Sequence, residues 1–351
     1  MSITVLWSGI DTLEASYRAV LDPDLVTVLD ALKATAQAEE QPQPYEIGGY
    51  SMGVHAQGLK PWRFLLTGED LHLRLSPSGS APNISLRLLS LGLLAYGHEA
   101  LFELGEHLVH SCGTASGLGV SRLDLACDFQ GFVPTFADSQ RIVCAASFRP
   151  IYPNTEHPET FQFGQGDIVV RIYNKSREIE VKGKGYWREV WAQHPDFDPG
   201  TDVWRFELQL RRGALAEYGC REPHAAFVNL DRLLGSGLDW ANLRIPKGKS
   251  TDRWEEDPAW TELRKATFAG AAIPRVKAAS YVGGTAKLVP MAAGILVSVA
   301  ARLGIRDRTL ASEVLDAEIQ QYFEERGVNF EREVAARQVK IDGSRKELQS
   351  G

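Results

Sequence analysis

Cysteine is scarce in this chain, and an overall cationic excess is absent. The 351 residues include four cysteines, Cys112, Cys127, Cys144 and Cys220, none in a Cys-x-x-Cys pair. The spacing suggests neither a zinc site nor a disulfide framework. Cys127 falls in a strand pattern and reads as a small buried hydrophobe. Long hydrophobic runs are missing too. The longest, Leu288–Ala301, is broken by Pro290 and Ser298 and falls short of a membrane span. Met1–Asp11 lacks the basic, apolar and small-residue order of a secretory leader. A cytoplasmic protein with no membrane partner is the expectation. No P-loop, dinucleotide glycine fingerprint or GxSxG elbow occurs. The eight histidines contain no HxH or HExxH spacing.

The formal net charge is −7, without the basic footprint of most nucleic-acid binders. One stretch runs against it. Between Arg171 and Arg188 lie six cations (Arg171, Lys175, Arg177, Lys182, Lys184, Arg188) and two acids (Glu178, Glu180).

Periodicity sets the organisation. Ile3–Ile10 reads as a strand, and Thr12–Leu21 as either its extension or an amphipathic helix. Asp24–Ala38 reads as a helix, with Leu25, Val28, Leu29 and Leu32 on one face. Gln41–Tyr45, with two prolines, reads as a loop. Tyr50–Leu88 alternates as strands, including a hairpin across Gly68-Glu69-Asp70. Gly97–Val109 reads as a helix, Val120–Phe129 as a strand and Phe136–Ala146 as a helix. Phe161–Phe163 and Ile168–Tyr173 form a second hairpin, Glu189–Gly200 a polar loop, Val203–Arg211 a strand and Glu222–Leu234 a helix. Beyond about Asp239 strand patterns stop. Pro258–Phe268, Lys287–Leu303 and Thr309–Val339 read as helices, the last broken near Gly327. The expected fold is α+β: a large, mainly antiparallel sheet built from two strand/helix halves (46–146 and 160–234), with a helical C-terminal region. The expected domains are a catalytic sheet domain over 1–240 and a helical region over 241–351, with the boundary near 235–255.

Three strands carry polar residues on one face. In Arg122–Asp128, Leu123, Leu125 and Cys127 alternate with Arg122, Asp124 and Asp128. In Ile168–Lys175, Ile168, Val170 and Ile172 alternate with Arg171, Tyr173 and Lys175. In Trp204–Arg211 the apolar residues alternate with Arg205, Glu207, Gln209 and Arg211. Taken singly, each reads first as the solvated face of an antiparallel sheet. Three strands with one layout favour a site instead. If they are neighbours, their shared face suits phosphoryl transfer on a polynucleotide. Asp124, Asp128 and Glu207 would hold Mg²⁺ or Mn²⁺ through oxygen. Arg171 and Lys175 would draw the Tyr173 phenol, whose ordinary pKa is about 10, toward the phenolate. Attack by Tyr173 would leave a phosphotyrosyl link. Arg205 would orient the acids or contact backbone phosphate. Arg122, Arg211, Lys182 and Lys184 are further candidate phosphate contacts.

At these residues the chain resembles the replication initiation factors of rolling-circle plasmids, filamentous phages and integrative elements. The family's R-[IL]-D-hydrophobic-x-x-D strand is similar to Arg122–Asp128. Its R-[IL]-Y-[ND]-K segment with a following acid is similar to Arg171–Lys175 with Glu178. Its aromatic-R-hydrophobic-E-hydrophobic strand is similar to Trp204–Leu208. The motifs fall in the family's order, and looser likeness extends over about 1–235. The resemblance implies a DNA nickase and joining enzyme, with Tyr173 as nucleophile and Asp124, Asp128 and Glu207 as ligands of a divalent metal. It further implies an origin hairpin as substrate, a homodimer and a helicase partner. The acidic net charge and the C-terminal helices depart from the pattern. The alternatives are a non-catalytic DNA-binding protein such as a repressor or degenerate prophage relic, a nuclease using water, and a merely solvated sheet face.

Overall fold

The computed structural model describes residues 3–77, 82–153, 158–266 and 284–332, with Val334, Ala335 and Gln338. In chain order the strands are β1 (Thr4–Leu21), β2 (Gln43–Ile47), β3 (Tyr50–Val54), β4 (Phe64–Thr67), β5 (Leu71–Leu75), β6 (Ile84–Leu88), β7 (Gly113–Gln130), β8 (Ile142–Val143), β9 (Ile151–Pro153), β10 (Pro158–Phe163), β11 (Ile168–Asn174), β12 (Trp204–Arg211), β13 (Asn242–Ile245) and β14 (Glu255–Glu256). The helices are α1 (Pro23–Glu39), α2 (Ser90–Tyr96), α3 (His98–Ser111), α4 (Phe136–Arg141), α5 (Lys175–Lys182), α6 (Tyr186–Trp191), α7 (Arg212–Glu217), α8 (Pro223–Phe227), α9 (Leu230–Trp240), α10 (Pro258–Ala266), α11 (Gly284–Leu303) and α12 (Arg308–Arg326). The chain forms two compact units, Met1–Arg275 and Val276–Gly351. Among the described residues no helix is long and apolar enough to cross a membrane.

Among the described residues, eleven strands form one sheet in the order β2-β3-β4-β5-β6-β1-β7-β12-β11-β10-β9. Each of its pairings is antiparallel. The expected α+β architecture is therefore present. The strands of 43–88 make one wing, those of 151–211 the other, and the long β1–β7 pair joins them. Thr12–Leu21 continues β1 as strand. Four register shifts along β1–β7 break its period of two, which is why the alternation was ambiguous.

One face of the sheet is apolar and covered by helices. Leu13, Leu86, Leu123, Phe206 and Leu210 are buried there with Leu101 and Leu108 of α3, Leu233 and Leu238 of α9, and Trp260 of α10. Trp260 meets Phe206 edge to face at 5.6 Å between centroids. The layers touch closely: a Cβ at Gly105 would stand 2.5 Å from Leu86. That clearance explains a glycine inside α3 despite its cost to a helix.

Several local expectations need correction. Gln43–Ile47 is a strand; Pro44 is tolerated because β2 is the sheet's outermost strand. The helix from Phe136 stops at Arg141, since Ile142 and Val143 pair with β13. The first residues of the expected loop at Glu189 belong to α6, and Glu222–Leu234 is split into α8 and the start of α9. The short strands β13 and β14 lie beyond Asp239. The break at Gly327 is a left-handed C-cap of α12, φ 62°. Residues 267–268 and most of 333–339 lie outside the described residues.

His72 of β5 is held neutral, its pKa pushed down to about 4 by burial first and then by Arg87 and Arg74. The unfolded imidazole takes up its proton near pH 6.5, so folding stability falls as pH drops from about 6.5 to about 4. Urea unfolding across that window should show a steeper loss for wild type than for His72→Gln; parallel curves would refute it.

Candidate active site

The expected neighbours are neighbours. β7, β12 and β11 lie side by side, and register sets Arg171 opposite Glu207 and Tyr173 opposite Arg205. On the other side of β12, Arg205 faces Asp128, Gln209 faces Asp124 and Arg211 faces Arg122. Lys175 differs from expectation. The strand ends at Asn174, whose side chain accepts the Arg177 N–H (3.1 Å) and donates to Asp202 (2.7 Å). That cap makes Lys175 the first residue of α5. Its ammonium folds back to 5.7 Å from the Tyr173 ring centroid and 2.6 Å from Glu178.

The polar residues sort into a closed layer and an open one. In the closed layer Arg205 is 0% exposed. Its Nε and Nη2 donate to the two oxygens of Asp128 (2.5 and 2.8 Å), and its Nη1 donates to Asp11. Trp191 Nε1 also donates to Asp128, at 2.9 Å. The guanidinium lies 4.3 Å from the Trp187 ring and 5.3 Å from the Trp7 ring. Arg205 therefore orients acids and presents nothing to a phosphate. Asp128, also 0% exposed, is withdrawn from any open face.

The open layer lines a cleft of about 440 Å³ that includes Tyr173, Glu207, Asp124, Arg122, Lys175, Glu178, Lys182, Lys184 and Tyr186. Tyr173 donates its hydroxyl to Glu207 Oε2 at 2.9 Å, while Arg171 holds Glu207 Oε1 at 2.9 Å. Arg171 also reaches Gln162 (3.0 Å) and Gln209 (3.1 Å). Arg122 grips both oxygens of Asp124, at 2.5 to 3.0 Å. Glu178 binds Lys175 and Lys182 (2.6 and 2.7 Å). Lys184 has no ion-pair partner among the described residues. Arg171 and Arg211 lie beside the cleft rather than along it.

Burial, then the Glu207 charge, lifts the Tyr173 pKa well above its ordinary value. The phenol thus keeps its proton, against the expectation that Arg171 and Lys175 would favour the phenolate: both cations are engaged by carboxylates. Burial pushes Asp124 up to about 7; Arg122 opposes the rise and the Glu207 and Asp11 charges add to it. Burial and the Arg205 charge lower Lys175. Glu178 is held low against its burial by Lys175 and Lys182.

No family model matches the chain, and no curated protein matches it. Among solved structures, the chain is similar to a rolling circle replication initiator protein from Geobacillus stearothermophilus. The two share 16% identity, the match covers 78% of this chain and 99% of that one, and the TM-score is 0.44. So distant a likeness carries no functional weight by itself.

The acids do not fit a ready-made metal centre. Among the described residues no group of three or more His, Cys, Asp or Glu is placed to hold an ion. Both oxygens of Asp124, Asp128 and Glu207 already accept protein hydrogen bonds. Sequence reasoning missed Asp11, Trp187 and Trp191. Asp11 is the extra residue at a bulge between Ile10 and Thr12, which turns it to the polar face. The tryptophans did leave a signal, a pair four apart on one helix face.

Removing Arg205 would strand buried carboxylates. Arg205→Met should lower the unfolding free energy by about 3–5 kcal/mol, and adding Asp128→Leu should restore a substantial part. A urea double-mutant cycle with additive effects would show that the pair is uncoupled.

Proposed function

We propose that this protein nicks and rejoins single-stranded DNA through Tyr173, acting as a rolling-circle replication initiator. The observation that carries the reading is the Tyr173 hydroxyl donating to Glu207 inside a cation-lined cleft. The nucleophile and its proton acceptor are already in hydrogen-bond contact. Arg171 holds the other Glu207 oxygen and so aims the carboxylate.

The chemistry follows from that contact. Glu207 takes the phenolic proton as Tyr173 Oη attacks phosphorus. The Tyr–O–P bond forms, the bond to the leaving sugar oxygen breaks, and that oxygen takes the proton. Rejoining reverses the flow: a strand hydroxyl attacks the phosphotyrosine and Tyr173 recovers its proton. Lys184, without an ion-pair partner among the described residues, supplies a cation for the phosphate. Arg122, Lys175 and Lys182 are paired with carboxylates and exchange partners when a phosphate arrives. Such pre-placed charges stabilise the charge developing on the transferring phosphoryl group. A cleft with Tyr173 half-buried admits a single strand more readily than a duplex, in keeping with an origin hairpin.

The test is a denaturing protein gel after incubation with labelled hairpin DNA, with and without Mn²⁺. Wild type should give a denaturant-resistant adduct. Tyr173→Phe should abolish it while binding stays within about two-fold, and Glu207→Gln should slow adduct formation by about 10²–10⁴-fold. An undiminished adduct from Tyr173→Phe would move the nucleophile to another tyrosine, Tyr186 first. Cleavage without an adduct would favour a water-using nuclease. Binding without cleavage would favour a non-catalytic DNA-binding protein.

A further inference from the structure

The face that carries Tyr173 and Asp124 does not end at β7. Register carries it onward: Arg122 lies opposite Glu14, Glu14 opposite Arg87, and Arg87 opposite His72. Along each strand these residues alternate with buried leucines (Leu123, Leu13, Leu88, Leu73), so they share the face away from the core. Arg74, two residues beyond His72, lies on the same face, 5.5 Å from the ring of Trp62. Arg87 and Arg122 line the same cleft as Tyr173. Arginines thus lead away from the tyrosine across β7, β6 and β5, with β1 between.

A second observation points to what this row takes. The side chains of Arg87 and Arg122 are 30% and 29% exposed, and Arg74 beyond them is 8% exposed. Glu14 serves both Arg74 and Arg87, at 3.4 and 3.7 Å, and Asp124 serves Arg122, so three guanidiniums of the row share two carboxylates. A row that merely tied the sheet together would match each cation with an acid. Burial, with the Arg87 and Arg74 charges added to it, also pushes His72 down to about 4, as expected where the potential is positive. Guanidiniums in excess of their carboxylates, on three strands of one face, suit a ligand that repeats an anionic acceptor.

We propose that this face is the track for the DNA single strand running on from the scissile phosphate, with backbone phosphates on Arg122, Arg87 and Arg74 and Trp62 at the far end. The proposal rests on the nicking function proposed above. From β11 to β5 the sheet order gives five strand steps, about 24 Å at ~4.8 Å each. Guanidiniums interleaved with an aromatic ring are a sequence-tolerant way to hold a single strand.

The test is fluorescence anisotropy of the full chain with oligothymidylates of about 4 to about 16 nucleotides. Wild-type affinity should rise with length until the track is covered. Arg87→Gln and Arg74→Gln should each weaken the longer oligomers about ten-fold and reduce the salt slope by about 0.7. Arg63→Gln, on an exposed arginine paired with Asp30, should change nothing. Thermal melts check folding, and if Arg74→Gln fails to fold, the more exposed Arg87 decides. Wild-type affinity and salt slope in Arg87→Gln would overturn the track. The two proposals fail separately. An adduct on Tyr173 with unaffected variants leaves nicking and removes the track. No adduct, with weakened variants, leaves the track and removes nicking.

Discussion

The Arg205–Asp128 pair, closed by Asp11 and roofed by tryptophan, is the constraint on which the site depends. A guanidinium with no exposure is costly to desolvate. Here both Asp128 oxygens and one from Asp11 meet it, and the faces of Trp187 and Trp7 take the place of water. Its main effect is on register. It ties β12 to β7 and to the bulge of β1 at a single alignment. Glu207, two residues on, is thereby delivered to Tyr173. A slip of one residue would turn Glu207 into the core and Phe206 to the cleft.

The cleft above that layer works on the opposite principle. Its lining pairs reach solvent through one partner: Arg122 (29% exposed) with Asp124, and Lys182 (59% exposed) with Glu178, which also holds the buried Lys175. A closed ion pair below and partly exposed ones above hold Tyr173 and Glu207 in place within a charged cleft. The acidic net charge of −7 is compatible with this, because the relevant charge is local and ordered by strand register.

The alternation in Arg122–Asp128, Ile168–Tyr173 and Trp204–Arg211 was readable because an antiparallel sheet with one covered face repeats every two residues. Tyr173, Glu207 and Asp124 were therefore visible as one-face polar residues. Asp128 and Arg205 looked the same on that pattern. Period two reports the face and says nothing of what lies over it, and here α6 lays Trp187 and Trp191 across one end. Lys175 was misplaced for a similar reason: the Asn174 cap ends the strand one residue before the alternation does.

What the sequence by itself determined is which residues turn away from the core, since side-chain direction in a strand follows from local backbone geometry. Only the tertiary structure decided which strands are neighbours, that Asp11 rises through a bulge to meet Arg205, and that Glu207 holds the Tyr173 hydroxyl rather than standing open. These are contacts between residues far apart in the chain. Their alignment is selected by packing and charge pairing across the whole sheet, which no local pattern encodes.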